Sequence, residues 1–67
     1  MENRSLVFNT AIEHEATLLK DKLEAEGIHA LILNQQDSMY KIFGLFEIYV
    51  RNEDLEKAKQ IVERNTQ

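Results

Sequence analysis

The stretch Phe43-Gly44-Leu45-Phe46-Glu47-Ile48-Tyr49-Val50 limits what this chain can fold into more than any other. It is rich in β-branched and aromatic residues, and its apolar positions recur with a period of two, which is the mark of a strand. Phe46, Ile48 and Val50 then point one way, and Leu45, Glu47 and Tyr49 the other. A helical pattern lies before this strand and another after it. Each needs a sheet to lie on, so the strand is expected at the centre of that sheet.

The remaining elements follow in order. Leu6, Val7 and Phe8 form a short apolar run within Ser5 to Asn9, which suits a first strand covered on both faces. Thr10 and Glu13 have the spacing of a capping box, with the Thr10 hydroxyl accepting the N–H of Glu13. Ile12, Ala16, Leu19 and Leu23 then mark one helix face, widened by Leu18 and Ala25. His14, Lys20, Asp21, Lys22, Glu24 and Glu26 fall on the wet side. Gly27 is expected to stop the helix in the left-handed conformation, with Ile28 packing back on Leu23 as a Schellman motif requires. Ile28 to Leu33 reads as the second strand. Ile28, Ala30 and Ile32 would face the helix, while His29, Leu31 and Leu33 face away.

Asn34 to Ser38 has turn composition. Met39 to Phe43 fits either a strand or an ordered loop. The preferred reading is a long hairpin with a bulge or bend at Gly44. Asn52 is a suitable N-cap for the last helix, with Glu53 and Asp54 in its first turn. Leu55, Ala58, Ile61 and Val62 make its buried face. Lys57 is spaced to pair with Glu53 or Asp54. Asn65 to Gln67 are expected to fray.

The order β-α-β-β-α, with a right-handed first crossover, is most of an α+β, ferredoxin-like two-layer sandwich. Three strands would carry two helices on one face. The third strand would lie between the first and second, leaving the first as an open edge.

Size and composition narrow the function classes. Sixty-seven residues make a single domain, residues 1–67. A chain of this size buries only about 60% of its unfolded surface. With no cysteine, neither a disulfide nor a thiolate metal site is available, which leaves self-association as a route to extra stability. Eight basic against twelve acidic residues disfavours nucleic acid and anionic membranes as partners. No apolar run approaches a membrane span, and Met1 to Ser5 lacks the apolar core of a secretory signal. A soluble cytoplasmic protein is expected.

The usual reactive constellations are missing from the sequence. His14 and His29 have no second ligand at metal spacing. Ser5, Ser38, Thr10, Thr17 and Thr66 lie in no nucleophile-elbow context. Glu13 and Glu15 sit two apart on a helix and do not face each other. Two isolated glycines make no phosphate cradle. A non-enzyme with no metal and no cofactor is expected.

Glu15-Ala16 followed by Leu23-Glu24-x-x-Gly27-Ile28, and Phe43-Gly44-x-x-Glu47-Ile48-Tyr49-Val50 followed by Asp54-x-x-x-Ala58, carry a resemblance. Across roughly residues 6 to 63 the chain resembles a family of short prokaryotic domains classed as signal-transducing proteins. The family is similar in fold to PII-type signal proteins, which are ferredoxin-like and bind nucleotide at subunit interfaces. The resemblance implies that fold and a regulatory role. It does not imply nucleotide binding, because the long exposed loop, the Gly-rich phosphate contacts and the basic cluster of PII proteins are missing from this sequence.

The leading expectation is therefore a regulatory protein-interaction module, with a protein partner or a homodimer formed through the open sheet face and the first-strand edge. Val7, Leu31, Leu33 and Tyr49 are the expected interface residues, with Leu45 beside them, unless Tyr40 and Phe43 fold over that patch. The alternative is a metabolite or nucleotide sensor using Asp37, Ser38, Tyr40 and Lys41 in the hairpin loop.

Overall fold

The computed structural model describes residues 3–37 and 42–65. Strand β1 (Arg4–Thr10) is followed by helix α1 (Glu13–Ala25), then β2 (Ala30–Asp37) and β3 (Ile42–Arg51). A single 3-10 turn, Asn52–Asp54, leads into helix α2 (Leu55–Asn65). The sheet order is β1-β3-β2, and β3 runs antiparallel to both neighbours. Strands β1 and β2 therefore run parallel to each other, with α1 as the crossover between them. This is the split βαβ unit of a ferredoxin-like α+β fold, in the element order expected from the sequence.

One apolar core joins the two layers. Ala16, Leu19 and Leu23 come from α1, and Ala58 and Ile61 from α2. They meet Ile28, Ala30, Ile48 and Val50 from the sheet side. Helix α1 packs mainly on β2, and α2 mainly on β1. Both helices thus cover the same face, the one to which Ile48 and Val50 point. Burying a side chain such as Ile48 contributes roughly 1.5–3 kcal/mol.

The end of α1 is a Schellman motif. Gly27 takes φ 86. Its N–H donates to the Glu24 carbonyl at 3.0 Å, and the Ile28 N–H donates to the Leu23 carbonyl at 3.0 Å. Ile28 is buried, as its place in the motif requires.

The start of α1 differs from the capping box. Thr10 ends β1, paired with Phe46, so it lies too early to cap a helix beginning at Glu13. Its hydroxyl accepts the N–H of Ile12 at 3.1 Å and donates to Glu15 Oε1 at 3.2 Å. Glu15 thus takes the place expected of Glu13. Ile12 occupies the N-cap position in an extended conformation and is 54% exposed rather than part of the buried face. Leu18 and Ala25 also face solvent, because the core stripe is only as wide as Ala16, Leu19 and Leu23.

The approach to α2 likewise departs from a side-chain cap at Asn52. Asn52 is the first residue of the 3-10 turn, with Arg51 in the cap position and no side-chain cap. The Asn52 side chain accepts from the Ser5 hydroxyl, and its N–H donates to the Asn3 carbonyl at 3.1 Å. Leu55, Ala58, Ile61 and Val62 line the core as expected. Lys57 reaches the Glu26 carbonyl at 3.5 Å instead of pairing with Glu53 or Asp54. Asn65 is held rather than frayed, donating to the Ile61 carbonyl at 2.7 Å and accepting from Lys22 Nζ at 2.6 Å. Thr66 and Gln67 lie outside the described residues.

The hairpin is longer than the sequence suggests. Strand β2 continues through Asn34, Gln35 and Asp37, paired with Phe46, Leu45 and Ile42. Backbone pairing satisfies donors and acceptors whatever the side chains, and here it outweighs turn propensity. The register slips between Gln35 and Asp37, so Phe43 and Gly44 together lie opposite Gln36. That is the bulge expected at Gly44. A second slip lies in β1, where Leu6 pairs with Tyr49 and Phe8 with Ile48, leaving Val7 as the extra residue.

Candidate interaction surface

The far side of the sheet follows from register. Tyr49 is flanked by Leu6 on β1 and Leu31 on β2, and Glu47 by Asn9 and Leu33. Leu45 continues the column on β3. All of these alternate with the core residues Ile48 and Val50, so they share the face opposite the helices. Among the described residues no helix or strand covers that face. Leu6 is 41% and Leu45 42% exposed, while Leu31, Leu33 and Tyr49 are half-buried by their neighbours.

Of the expected interface residues, Leu31, Leu33 and Tyr49 come together on this face. Val7 does not. The β1 bulge puts both Val7 and Phe8 opposite Ile48, and both pack against the core. Leu6 takes the place expected of Val7. Simple alternation could not have revealed this, because an unbroken Leu-Val-Phe run looks the same in either phase. The bulge also interrupts β1 as an edge, a feature that limits strand-to-strand pairing.

Asn9, Glu47 and Tyr49 put polar groups among the leucines. The Tyr49 hydroxyl donates to Glu47 Oε1 at 3.3 Å. Partial burial first, then the Glu47 charge, then this hydrogen bond push the phenol above its usual 10.0. The bond satisfies the phenol and holds the ring along the sheet.

The alternative ligand loop is only partly placed. Asp37 closes β2 opposite Ile42, while Ser38, Tyr40 and Lys41 lie outside the described residues. His14 and His29 are both exposed. Among the described residues, no three His, Cys, Asp or Glu side chains are placed to hold a metal ion. Nor, among them, is any helix long and apolar enough to cross a membrane.

Fold and surface together define a small ferredoxin-like domain with one sheet face covered by both helices and the other, among the described residues, uncovered. The chain belongs to the family described as "Putative prokaryotic signal transducing protein", whose model matches residues 5–66. The family name points to a signalling role at that coarse level. No curated protein and no solved structure is significantly similar to the chain.

Proposed function

We propose that this domain is a non-enzymatic regulatory module that works by protein contact, in the cytoplasm, with the open sheet face as its binding surface. A second copy of the chain is the occupant we favour. The observation that carries this is the shared face of Leu6, Leu31, Leu33, Leu45 and Tyr49, left uncovered by either helix. Contiguous apolar surface of this kind on a small domain usually marks an interaction site.

Magnitude sets the expected regime. Three strands spaced ~4.8 Å apart and some six residues long give a footprint on the order of 300 Å2. Stable interfaces bury about 800 Å2 per partner. Self-association through this face is therefore weak and concentration-dependent, as suits a reversible regulatory contact. A two-fold arrangement also needs no second surface, since the same patch serves both copies.

Sedimentation equilibrium over a wide concentration range tests the reading. The natural chain should associate reversibly, and Leu31→Glu should remain monomeric with an unchanged helical circular dichroism spectrum. A natural chain that stays monomeric up to about 1 mM, where even a contact of roughly −4 kcal/mol would register, removes the second copy as occupant. Association that persists unchanged in Leu31→Glu removes the face.

A further inference from the structure

At the end of the sheet where β1 begins and β3 ends, Arg4 and Arg51 are paired directly across the antiparallel ladder. Like charges opposite one another destabilise a strand pair. The chain has only three arginines and a net charge of −4, yet two of the three are set side by side. Arg4 Nη1 is closed off from solvent and makes no hydrogen bond. An unsatisfied buried donor of that kind is costly and calls for an explanation. Arg51 approaches Glu53 at 3.8 Å, but both side chains are well exposed, so that pairing is weak.

The two arginines line a cleft of about 540 Å3 together with Asn3, Asn52 and Glu53. Its walls are tied together by the Asn52 N–H to the Asn3 carbonyl, and by the Ser5 hydroxyl to the Asn52 side chain. The volume falls in the roughly 300–1,000 Å3 range of small-molecule sites, which is room for more than a bare ion. A guanidinium presents a planar fork of donors that matches tetrahedral phosphate and binds it with charge-assisted hydrogen bonds.

We propose that this cleft binds a phosphorylated small molecule, whose phosphate group bridges Arg4 and Arg51. The bound phosphate offsets the repulsion between the two guanidinium groups. Glu53 swings from Arg51 to admit it. Arg51 alternates with the core residue Val50, so the cleft lies at the end of the open face beyond Tyr49 and Leu6, but its test does not require protein binding on that face.

The test is an NMR titration of the 67-residue chain with inorganic phosphate and with pyrophosphate at fixed ionic strength, following the arginine side-chain Nε–Hε signals. Saturable shifts at Arg4 and Arg51 are expected, with Arg64 unmoved and pyrophosphate the tighter ligand. Arg4→Met should weaken pyrophosphate about tenfold or more. It should also raise the unfolding midpoint of the ligand-free protein, because it removes an unpaired buried donor and one of two facing charges. Arg64→Gln removes the same charge elsewhere and should leave the affinity unchanged. The proposal is overturned by shifts that chloride reproduces, by equal weakening in Arg64→Gln, or by unchanged binding in Arg4→Met. A lowered midpoint in Arg4→Met would assign Arg4 to structure instead. Citrate competing as well as pyrophosphate would overturn the phosphate assignment.

Discussion

Ile48 and Tyr49 are neighbours in β3, yet they occupy different surroundings. Ile48 has no exposed surface and lies beneath both helices. Tyr49 is half-buried on the other face, between Leu6 and Leu31, with its hydroxyl on Glu47. The two faces are built from the same three strands and share one backbone ladder. They differ in composition as well as in completeness: Ala30, Ile32, Ile48 and Val50 make the helix side apolar, whereas the far face mixes Leu6, Leu31, Leu33 and Leu45 with Asn9 and Glu47. The helix-side face is closed by Ala16, Leu19, Leu23, Ala58 and Ile61. The far face has leucines and, among the described residues, no second layer. Apolar side chains alone therefore do not make a core; a core also needs an element laid across them.

The contrast can be broken most forcefully at Ile48. Ile48→Ala should cost about 2–5 kcal/mol, from lost transfer energy and the cavity left behind. A domain of this size holds roughly 3–5 kcal/mol in all, so the variant should be largely unfolded in a urea titration followed by circular dichroism. Leu45→Ala on the open face should cost within about 1 kcal/mol and leave the spectrum native. Equal losses at the two positions would mean that something covers the far face after all.

A middle-sized effect is expected at Gly27, which sets the phase in which the chain leaves α1 and enters β2. An added Cβ there meets nothing within 4 Å, so only the backbone at φ 86 resists substitution. Gly27→Ala should lower stability by about 1–2 kcal/mol, read from the urea midpoint. The amide pattern of Leu31 and Ile32 should stay the same. Shifts there would show that the strain is relieved by moving β2, and with it the residues assigned to each face.

The smallest effect concerns Tyr49. Its raised pKa means that the folded chain holds the phenolic proton more tightly than the unfolded chain. The associated stability is fully present below the ordinary phenol value of 10.0 and is lost as pH rises through the folded value. Glu47→Gln removes the neighbouring charge and should bring the Tyr49 titration back toward 10.0, read from its ring carbon signal. No change in that variant would place Glu47 away from the ring and remove the one polar contact described on the open face.

Local signals were legible where they depend on few residues. The Gly27-Ile28 helix stop needs only a residue tolerant of positive φ and an apolar one after it, and both hydrogen bonds of the motif form. The two helix faces and the alternation of β3 were readable for the same reason. The start of α1 was less so, because Thr10 could serve either strand or helix, and pairing with Phe46 decided for the strand. The candidate surface was readable at Leu31, Leu33 and Tyr49 but not at Leu6 or Arg4. Leu6 depends on the β1 bulge. Arg4 and Arg51 are distant in sequence, and no periodicity links them.

From the sequence alone came the element order, the helix stripes, the central place of β3 and the polarity of each of its residues. These rest on short-range periodicity and backbone preference, which a single strand or helix carries within itself. Only the tertiary structure decided that Val7 turns inward and Leu6 outward, that Asn34 to Asp37 pair rather than turn, and that Arg4 faces Arg51. Each of those depends on register between strands, and register is a property of the pair.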